Sequence, residues 1–386
     1  MILKSIQFSQ YADTLEVWHL EQFTLGQVNL LVGKNATGKT RTLSVIGVLG
    51  NLVSGDQKMI YESGDFKTIF NKNGSIVKYV LGFENFKIIK ETLIIDGQEL
   101  LNRGDKGEGE IFAAQLKQLM KFQTSDNELA CVARRDSIQH PFFEDLYQWG
   151  KSLRHYYFGT QLGKDRLAIE LGDKKEEILN LKATNMVIEF FKKGQDKYGE
   201  RFTNAILEEM GLIGYKLDEI GVCPIPHLMA LGSASPQGLP IPPQGIYVKE
   251  SDLIGKTYQT EISQGMFRAL SLLIQLNFSQ LESIPGCVLI DDIGEGLDYG
   301  RSTALIKLLI EKAKKSSIQL IMATNDRFVM NNVPLEHWSV IQRVGQKCKV
   351  FNYENSKKIF DDFAFTGLAN FDFLTTEFYL EGFDKE

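Results

Sequence analysis

The sequence predicts an α/β fold built round a phosphate-binding loop, with a mixed sheet, an antiparallel β layer and a helical lobe. Three observations carry this expectation. An apolar run leads into a glycine-rich loop and then an apolar-periodic helix within residues 28–52. Alternating apolar residues joined by tight-turn pairs follow at residues 76–101. A second apolar run, residues 287–290, ends in the paired carboxylates Asp291 and Asp292.

The first element justifies itself residue by residue. Val28, Leu30, Leu31 and Val32 read as a buried strand. Gly33-Lys34-Asn35-Ala36-Thr37-Gly38-Lys39-Thr40 then fits G-x-x-x-x-G-K-[ST]. Its glycines let the backbone wrap a triphosphate closely and turn N–H groups inward. Lys39 supplies a charge for the β- and γ-phosphates, and Thr40 offers a hydroxyl to Mg²⁺. The helix expected from Lys39 to about residue 52 points its positive end at the phosphates. The nucleotide contacts expected here are Gly33, Asn35, Ala36, Thr37, Gly38, Lys39, Thr40 and the adjoining Arg41.

The next elements are hairpins. Val77, Tyr79, Leu81 and Phe83 alternate, followed by Phe86, Ile88, Leu93 and Ile95, with turns at Glu84-Asn85 and Asp96-Gly97. Residues 110–158 read as mixed and partly helical. Residues 165–215 read as helical, with apolar clusters round Met186 to Phe191 and Phe202 to Met210. Gly194, Gly199 and Gly211 limit helix length, and no heptad persists, which excludes a long coiled coil. Residues 222–245 hold six of the nine prolines and read as loop or extended linker. Strand, helix and strand alternate to about residue 350, and residues 351–386 carry eight of the 25 phenylalanines. Four segments follow: 1–160 and 246–350 as the two parts of the main lobe, 161–245 as helical lobe and linker, and 351–386 as a Phe-rich tail.

Composition narrows the function. The formal net charge is −6, so no global basic field attracts nucleic acid. DNA stays open as a partner without being indicated. The cluster Arg134, Arg135, Lys151, Arg154, Lys164 and Arg166 is interrupted by acids and reads as a solvated mixed face. Cys131, Cys223, Cys287 and Cys348 lie far apart with no C-x-x-C, which suits a reducing, cytoplasmic setting. Residues 1–6 move straight into strand-like alternation, so no signal peptide is expected, and no apolar run is long enough to span a membrane. His19, His140, His155, His227 and His337 are scattered and read as surface or packed side chains.

The carboxyl-terminal third supplies the partner motifs of the loop. Cys287-Val288-Leu289-Ile290-Asp291-Asp292 has the Walker B pattern: Asp291 would hold Mg²⁺ through water, and Asp292 would orient the attacking water. Ile262-Ser263-Gln264-Gly265-Met266 opens an apolar helix. Asp298 follows in Gly296-Leu297-Asp298, and the apolar run 318–323 ends at Thr324-Asn325.

That order resembles the ATP-binding cassette (ABC) ATPases, in particular their soluble SMC- and RecF-like branch. Residues 290–298 and Thr324-Asn325-Asp326-Arg327-Phe328 also resemble the ATPase half of the overcoming-lysogenization-defect nucleases and related bacterial anti-phage ATPases. The resemblance implies an ABC-type P-loop ATPase that binds ATP and Mg²⁺ and forms a homodimer or higher homo-oligomer. In it Ser263 and Gly265 would touch the γ-phosphate held by the partner subunit's loop, with Asp298 in the D-loop. Taken alone, Ser263 reads as a helix cap; between the other motifs it reads as part of the signature. The family's catalytic Glu is Asp292 here and its switch His is Asn325, so Glu295 is a second candidate base and slow hydrolysis is expected. Its Ser-Gly-Gly-Gln signature stands as Ser263-Gln264-Gly265-Met266, and Gln139 is a candidate for the glutamine that watches the γ-phosphate. A nuclease domain has no room after Thr324, so the output is expected on a separate effector protein, in anti-phage defence. The alternative is a RecF-like DNA-repair clamp. The tail phenylalanines either dock that effector or fold back on the ATPase lobe.

Overall fold

The computed structural model describes residues 1–12, 14–168, 179–225, 228, 233–234 and 240–384. They form two compact units, Met1–Leu153 with Pro285–Leu289 and Ser317–Glu386, and Arg154–Ile284 with Ile290–Ser316. This division cuts across the four expected segments. Residues 246–284 and 290–316 group with the helical segment, and 317–386 group with the amino-terminal part.

The first unit is organised on one continuous sheet. From Ile318–Ala323 the order runs Val28–Val32, Trp338–Val344, Lys347–Asn352, Trp18–Thr24 and Ile2–Gln10. It continues through Ser63–Lys72, Ser75–Glu84, Lys87–Ile95, Gln98–Arg103, Glu108–Ala113 and Gln118–Gln123. Val28–Val32 lies parallel to both neighbours and every residue in it is buried, as suits a central strand of four apolar residues, and the buried Asn29 donates to the Gly26 and Leu320 carbonyls. From Trp18–Thr24 outward every described pairing is antiparallel. The expected mixed sheet and antiparallel layer are therefore the two ends of one sheet.

Turn chemistry sets the antiparallel register. Asn85 and Phe86 have φ of 50° and 62°, and Asp96-Gly97 has 49° and 86°, the left-handed pair that two-residue hairpins need. Asn73-Gly74 makes the same turn before Ser75–Glu84 and closes a hairpin with Ser63–Lys72. Residues 110–158 hold more strand than expected, because Glu108–Ala113 and Gln118–Gln123 extend the sheet before the helices Ala130–Ala133 and Glu144–Ser152.

A wholly buried ion pair ties the loop after the last strand to this layer. Arg103 meets Glu91 at 3.4 Å with both side chains fully buried. Glu91 also accepts from Tyr79 Oη at 3.0 Å and from the Ala130 and Cys131 N–H groups at 2.6 and 3.0 Å. Arg103 donates to the Glu128 and Ser125 carbonyls at 2.6 and 2.7 Å. Burial pushes the Tyr79 hydroxyl and the Cys131 thiol well above their ordinary ranges.

The helix Lys39–Val53 packs on Glu144–Ser152 at a glycine crossing, where a Cβ on Gly150 would stand 2.6 Å from the Gly50 carbonyl oxygen. Residues 357–384 fold back onto the sheet. Phe360, Phe363, Phe373 and Tyr379 are buried, and the Phe360 and Phe373 rings lie 4.6 Å apart. Of the two readings for the tail, packing accounts for these rings; Phe365 and Phe383 remain exposed.

The second unit holds the helices Val187–Tyr198, Glu200–Leu212, Gln264–Leu281 and Tyr299–Lys314. Gly199, at φ 54° and ψ −135°, separates the first two, as its position suggested. Gln264–Leu281 is buried along most of its length, so its polar residues need partners. Asn277 donates to Glu209 at 2.7 Å, and Lys312 pairs with Glu209 and donates to Asn277 at 3.0 Å. The Pro-rich segment is less irregular than expected: Leu217–Pro224 pairs antiparallel with Gln244–Glu250. Pro224 ends that ladder and Pro242 and Pro243 stand just before its second strand, where a missing N–H costs no bond. Residues 226–227, 229–232 and 235–239 of the linker lie outside the described residues, as do 169–178 of the helical stretch. No described helix is long and apolar enough to cross a membrane.

Candidate nucleotide site

In the first unit the loop 33–40 joins Val28–Val32 to the helix Lys39–Val53. Gly33 is required by close approach, since a Cβ there would stand 2.5 Å from the Ile341 carbonyl oxygen and 2.8 Å from Thr37 Oγ1. Gly38 has φ 107° and backs onto Cys348 and Trp18, and Ala36 is left-handed at φ 62°. These conformations turn the loop over its own lysine. Lys39 is buried and its Nζ donates to the Gly33 and Lys34 carbonyls at 2.8 and 3.1 Å. Thr37 Oγ1 donates to the Lys34 carbonyl at 2.9 Å.

The helix that starts here has no side-chain cap and no acid in its first turn. Its first N–H groups and positive dipole end are left to an anion, with a seated amine beside them. Residue types and shape therefore fit a triphosphate. Asn35 and Thr40 are exposed on the loop. Arg41 turns away onto the protein's own surface: its guanidinium lies 4.2 Å from the Trp18 ring centroid and donates to Gln10 at 2.7 Å. Burial on that ring lowers the Arg41 pKa.

The switch segment stands next to the loop in the same unit. Ile318–Ala323 runs parallel to Val28–Val32, with Ala323 opposite Leu31. The Thr324 N–H donates to the Leu31 carbonyl at 3.4 Å. Asn325 is exposed at the carboxyl end of its strand, the end where α/β sheets bind ligands. Asp326 accepts from the Phe328 N–H at 2.7 Å and caps the helix Arg327–Asn332.

The remaining expected residues converge in the second unit. Asp291 is buried at the end of the strand Gly286–Asp291, and its carbonyl accepts from the Phe158 N–H at 2.9 Å. The chain then turns sharply, with Asp292, Gly294 and Gly296 all left-handed at φ 54°, 95° and 80°. That turn brings Asp292 and Glu295 to Gly159: a Cβ on Gly159 would lie 2.4 Å from Glu295 Oε2 and 3.7 Å from Asp292 Cβ. Ser263 caps its helix by accepting from the Met266 N–H at 3.3 Å. Gly265 packs so closely on the acid turn that a Cβ would stand 2.5 Å from the Gly296 carbonyl oxygen. Asp298 caps Tyr299–Lys314 through the Arg301 N–H at 3.0 Å and meets the Arg301 guanidinium at 2.6 Å. These bonds hold its carboxyl below the usual range.

Two residues here were not anticipated. Arg268, one turn into the signature helix and 8% exposed, donates to the Gly159, Thr160 and Glu295 carbonyls at 2.6, 2.8 and 2.9 Å. It binds the acid turn and the segment after Arg154–Tyr157 to one helix. Gln161 ends that segment and is exposed. Gln139, by contrast, donates to Gln115 at 3.3 Å beside the outer hairpin of the first unit. A single arginine among apolar residues carries no motif, so only the fold reveals its three carbonyl partners.

No protein-family description and no curated protein sequence matches this chain. Solved structures do. An SMC head bound to the C-terminal winged-helix domain of ScpA aligns over 93% of this chain and all of its own, at 12% identity and a TM-score of 0.51. The chain shares the fold of SMC head domains. The SMC head domain from Thermotoga maritima aligns over 91% of this chain and 98% of its own, at 14% identity and TM-score 0.44. A Pyrococcus furiosus SMC head with an extended coiled coil, bound to the C-terminal domain of ScpA, aligns over 94% and 99%, at 11% and 0.49. That likeness agrees with the α/β fold and mixed sheet expected from the sequence.

Proposed function

We propose that this chain is an ATP-binding ABC-type ATPase in which two copies close round two ATP molecules and set the state of a separate partner protein. The observation that carries the reading is the phosphate loop: a buried Lys39 amine seated on the Gly33 and Lys34 carbonyls, at an uncapped helix N-terminus beside Asn325. Thr40 and Asp291 are the residues that would hold Mg²⁺, which supplies charge neutralisation at the phosphates. Asp292 and Glu295 share one turn in the second unit, so either carboxylate is within one residue network for orienting water. Asp292 is a methylene shorter than Glu, and Asn325 cannot carry a proton, so turnover is slow. Ser263 and Gly265 serve the partner subunit's nucleotide, with Ser263 exposed at the start of its helix and Gly265 letting that helix start pack closely on the acid turn.

Support for a separate partner comes from the SMC head that was solved with a domain of ScpA, together with the motif resemblance to anti-phage ATPases. The output is an effector that this ATPase licenses, in anti-phage defence. The test is solution mass with and without MgATP. Wild type is expected to shift from monomer to dimer and Lys39→Ala to stay monomeric. A Lys39→Ala protein that dimerises with MgATP as wild type does would remove the loop from the mechanism.

A further inference from the structure

The phosphate loop has a second polar partner, and it comes from the other end of the chain. Lys34, the residue after Gly33, forms an ion pair with Glu377. Glu377 is held in a left-handed conformation, φ 58°, between the helices Asn370–Thr375 and Phe378–Glu381. A non-glycine residue in that region is strained and persists only where its surroundings impose it. The two helices it joins are pinned by ring packing, with Phe373 of the first 6.2 Å from both Phe378 and Tyr379 of the second. The same short helices grip the end of the switch helix Arg327–Asn332. Asn370 donates to the Val333 carbonyl at 2.9 Å, and the Phe371 N–H donates to Asn331 Oδ1 at 2.8 Å. Residues 370–384 thus touch both segments of the first unit that sense nucleotide, the loop and the helix following Asn325.

We propose that residues 370–384 are a nucleotide-responsive latch, in which Glu377 holds Lys34 of the phosphate loop until a bound triphosphate draws that lysine away. This rests on the reading that the loop binds ATP. The chemistry is competition between two anions for one cation. The pair is half-exposed, so its hold is modest and reversible, as a switch requires. A triphosphate carries far more negative charge than one carboxylate and also repels Glu377. Once Lys34 leaves, Glu377 keeps its strained backbone with no ion pair to Lys34, and the segment loosens along its contacts with Asn331 and Val333. ATP binding at the loop is thereby transmitted to the surface that bears the exposed Phe365 and Phe383.

The test compares wild type, Glu377→Gln, Lys34→Gln and the double variant by calorimetric MgATP titration and by amide exchange over 370–384. Glu377→Gln is expected to bind MgATP about two- to five-fold more tightly, the range exposed ion pairs supply. In the Lys34→Gln background the gain from the same substitution is expected to shrink to what relief of the Glu377–phosphate repulsion alone supplies. Exchange over 370–384 is expected to rise when wild type binds MgATP and to be fast in Glu377→Gln without it. Unchanged or weaker binding by Glu377→Gln, or exchange that ignores bound MgATP, overturns the latch and leaves the site reading standing. Failure of wild type to bind MgATP overturns both.

Discussion

Arg268 offers the sharpest structural prediction, because one side chain holds two segments of the second unit. Replacing it with methionine keeps most of its apolar stem and removes three donors. Each hydrogen bond from a charged group contributes roughly 1.5–3 kcal/mol in mutational series. Thr160 and Glu295 are exposed, so water can take over part of the work at their carbonyls, and Gln264 also donates to Thr160 at 3.1 Å. A net local loss of about 3 kcal/mol follows, nearer the value of one strong bond than of three. Read as local opening, that is on the order of 100-fold faster amide exchange at residues 157–161 and 293–297. Exchange in Val28–Val32 should not change. Exchange mass spectrometry on Arg268→Met checks this. Acceleration below about three-fold in both segments, with a folded protein, would show that the turn holds itself and that Arg268 only fills space.

Two further predictions concern buried charge and pH. Glu91→Gln leaves Arg103 buried without its counter-charge and is expected to lower unfolding stability by about 3 kcal/mol in a urea titration; a loss under about 1 kcal/mol would mean the carbonyls of Ser125 and Glu128 suffice. His155 is largely buried, stacks on Tyr157 at 4.2 Å, and has its pKa lowered to about 4 by desolvation. The folded protein keeps it neutral while the unfolded chain protonates it near pH 6.5, so stability is complete above that pH and falls toward pH 4. The His155 share lost between pH 7 and 5 is about 2 kcal/mol, and His155→Phe should flatten the denaturation slope by that amount. An unchanged slope would place the acid sensitivity elsewhere.

The parts of this protein that were legible in its sequence are those whose cause is local. The loop 33–40 could be read because glycine spacing, lysine and threonine specify a backbone path and a charge together. The turn at Asp96-Gly97 could be read because left-handed pairs admit few residue types, whereas the turn expected at Glu84-Asn85 lies one residue later, at Asn85-Phe86, where an exposed Phe takes the left-handed place. Ser63–Lys72 is not legible as a strand because its inward positions include Gly64 and Thr68, which blunt the alternation. The pairing of Leu217–Pro224 with Gln244–Glu250 is likewise not legible because it is non-local and its prolines sit at the ladder's end. Arg268 and Gly159 were invisible for a related reason: their importance lies in carbonyls and a carboxylate supplied by distant segments. Arg41 stands beside the loop by its position in the sequence, but only the structure shows Trp18 beneath it.

The central claim is that the loop 33–40 binds a nucleoside triphosphate through Lys39. Calorimetric titration of the full chain with MgATP, beside Lys39→Ala, tests it most directly. The account predicts saturable binding by wild type and a loss of at least about 100-fold in Lys39→Ala, since a charge-assisted contact to phosphate disappears. Equal binding by the two proteins, or no binding by wild type, would contradict it.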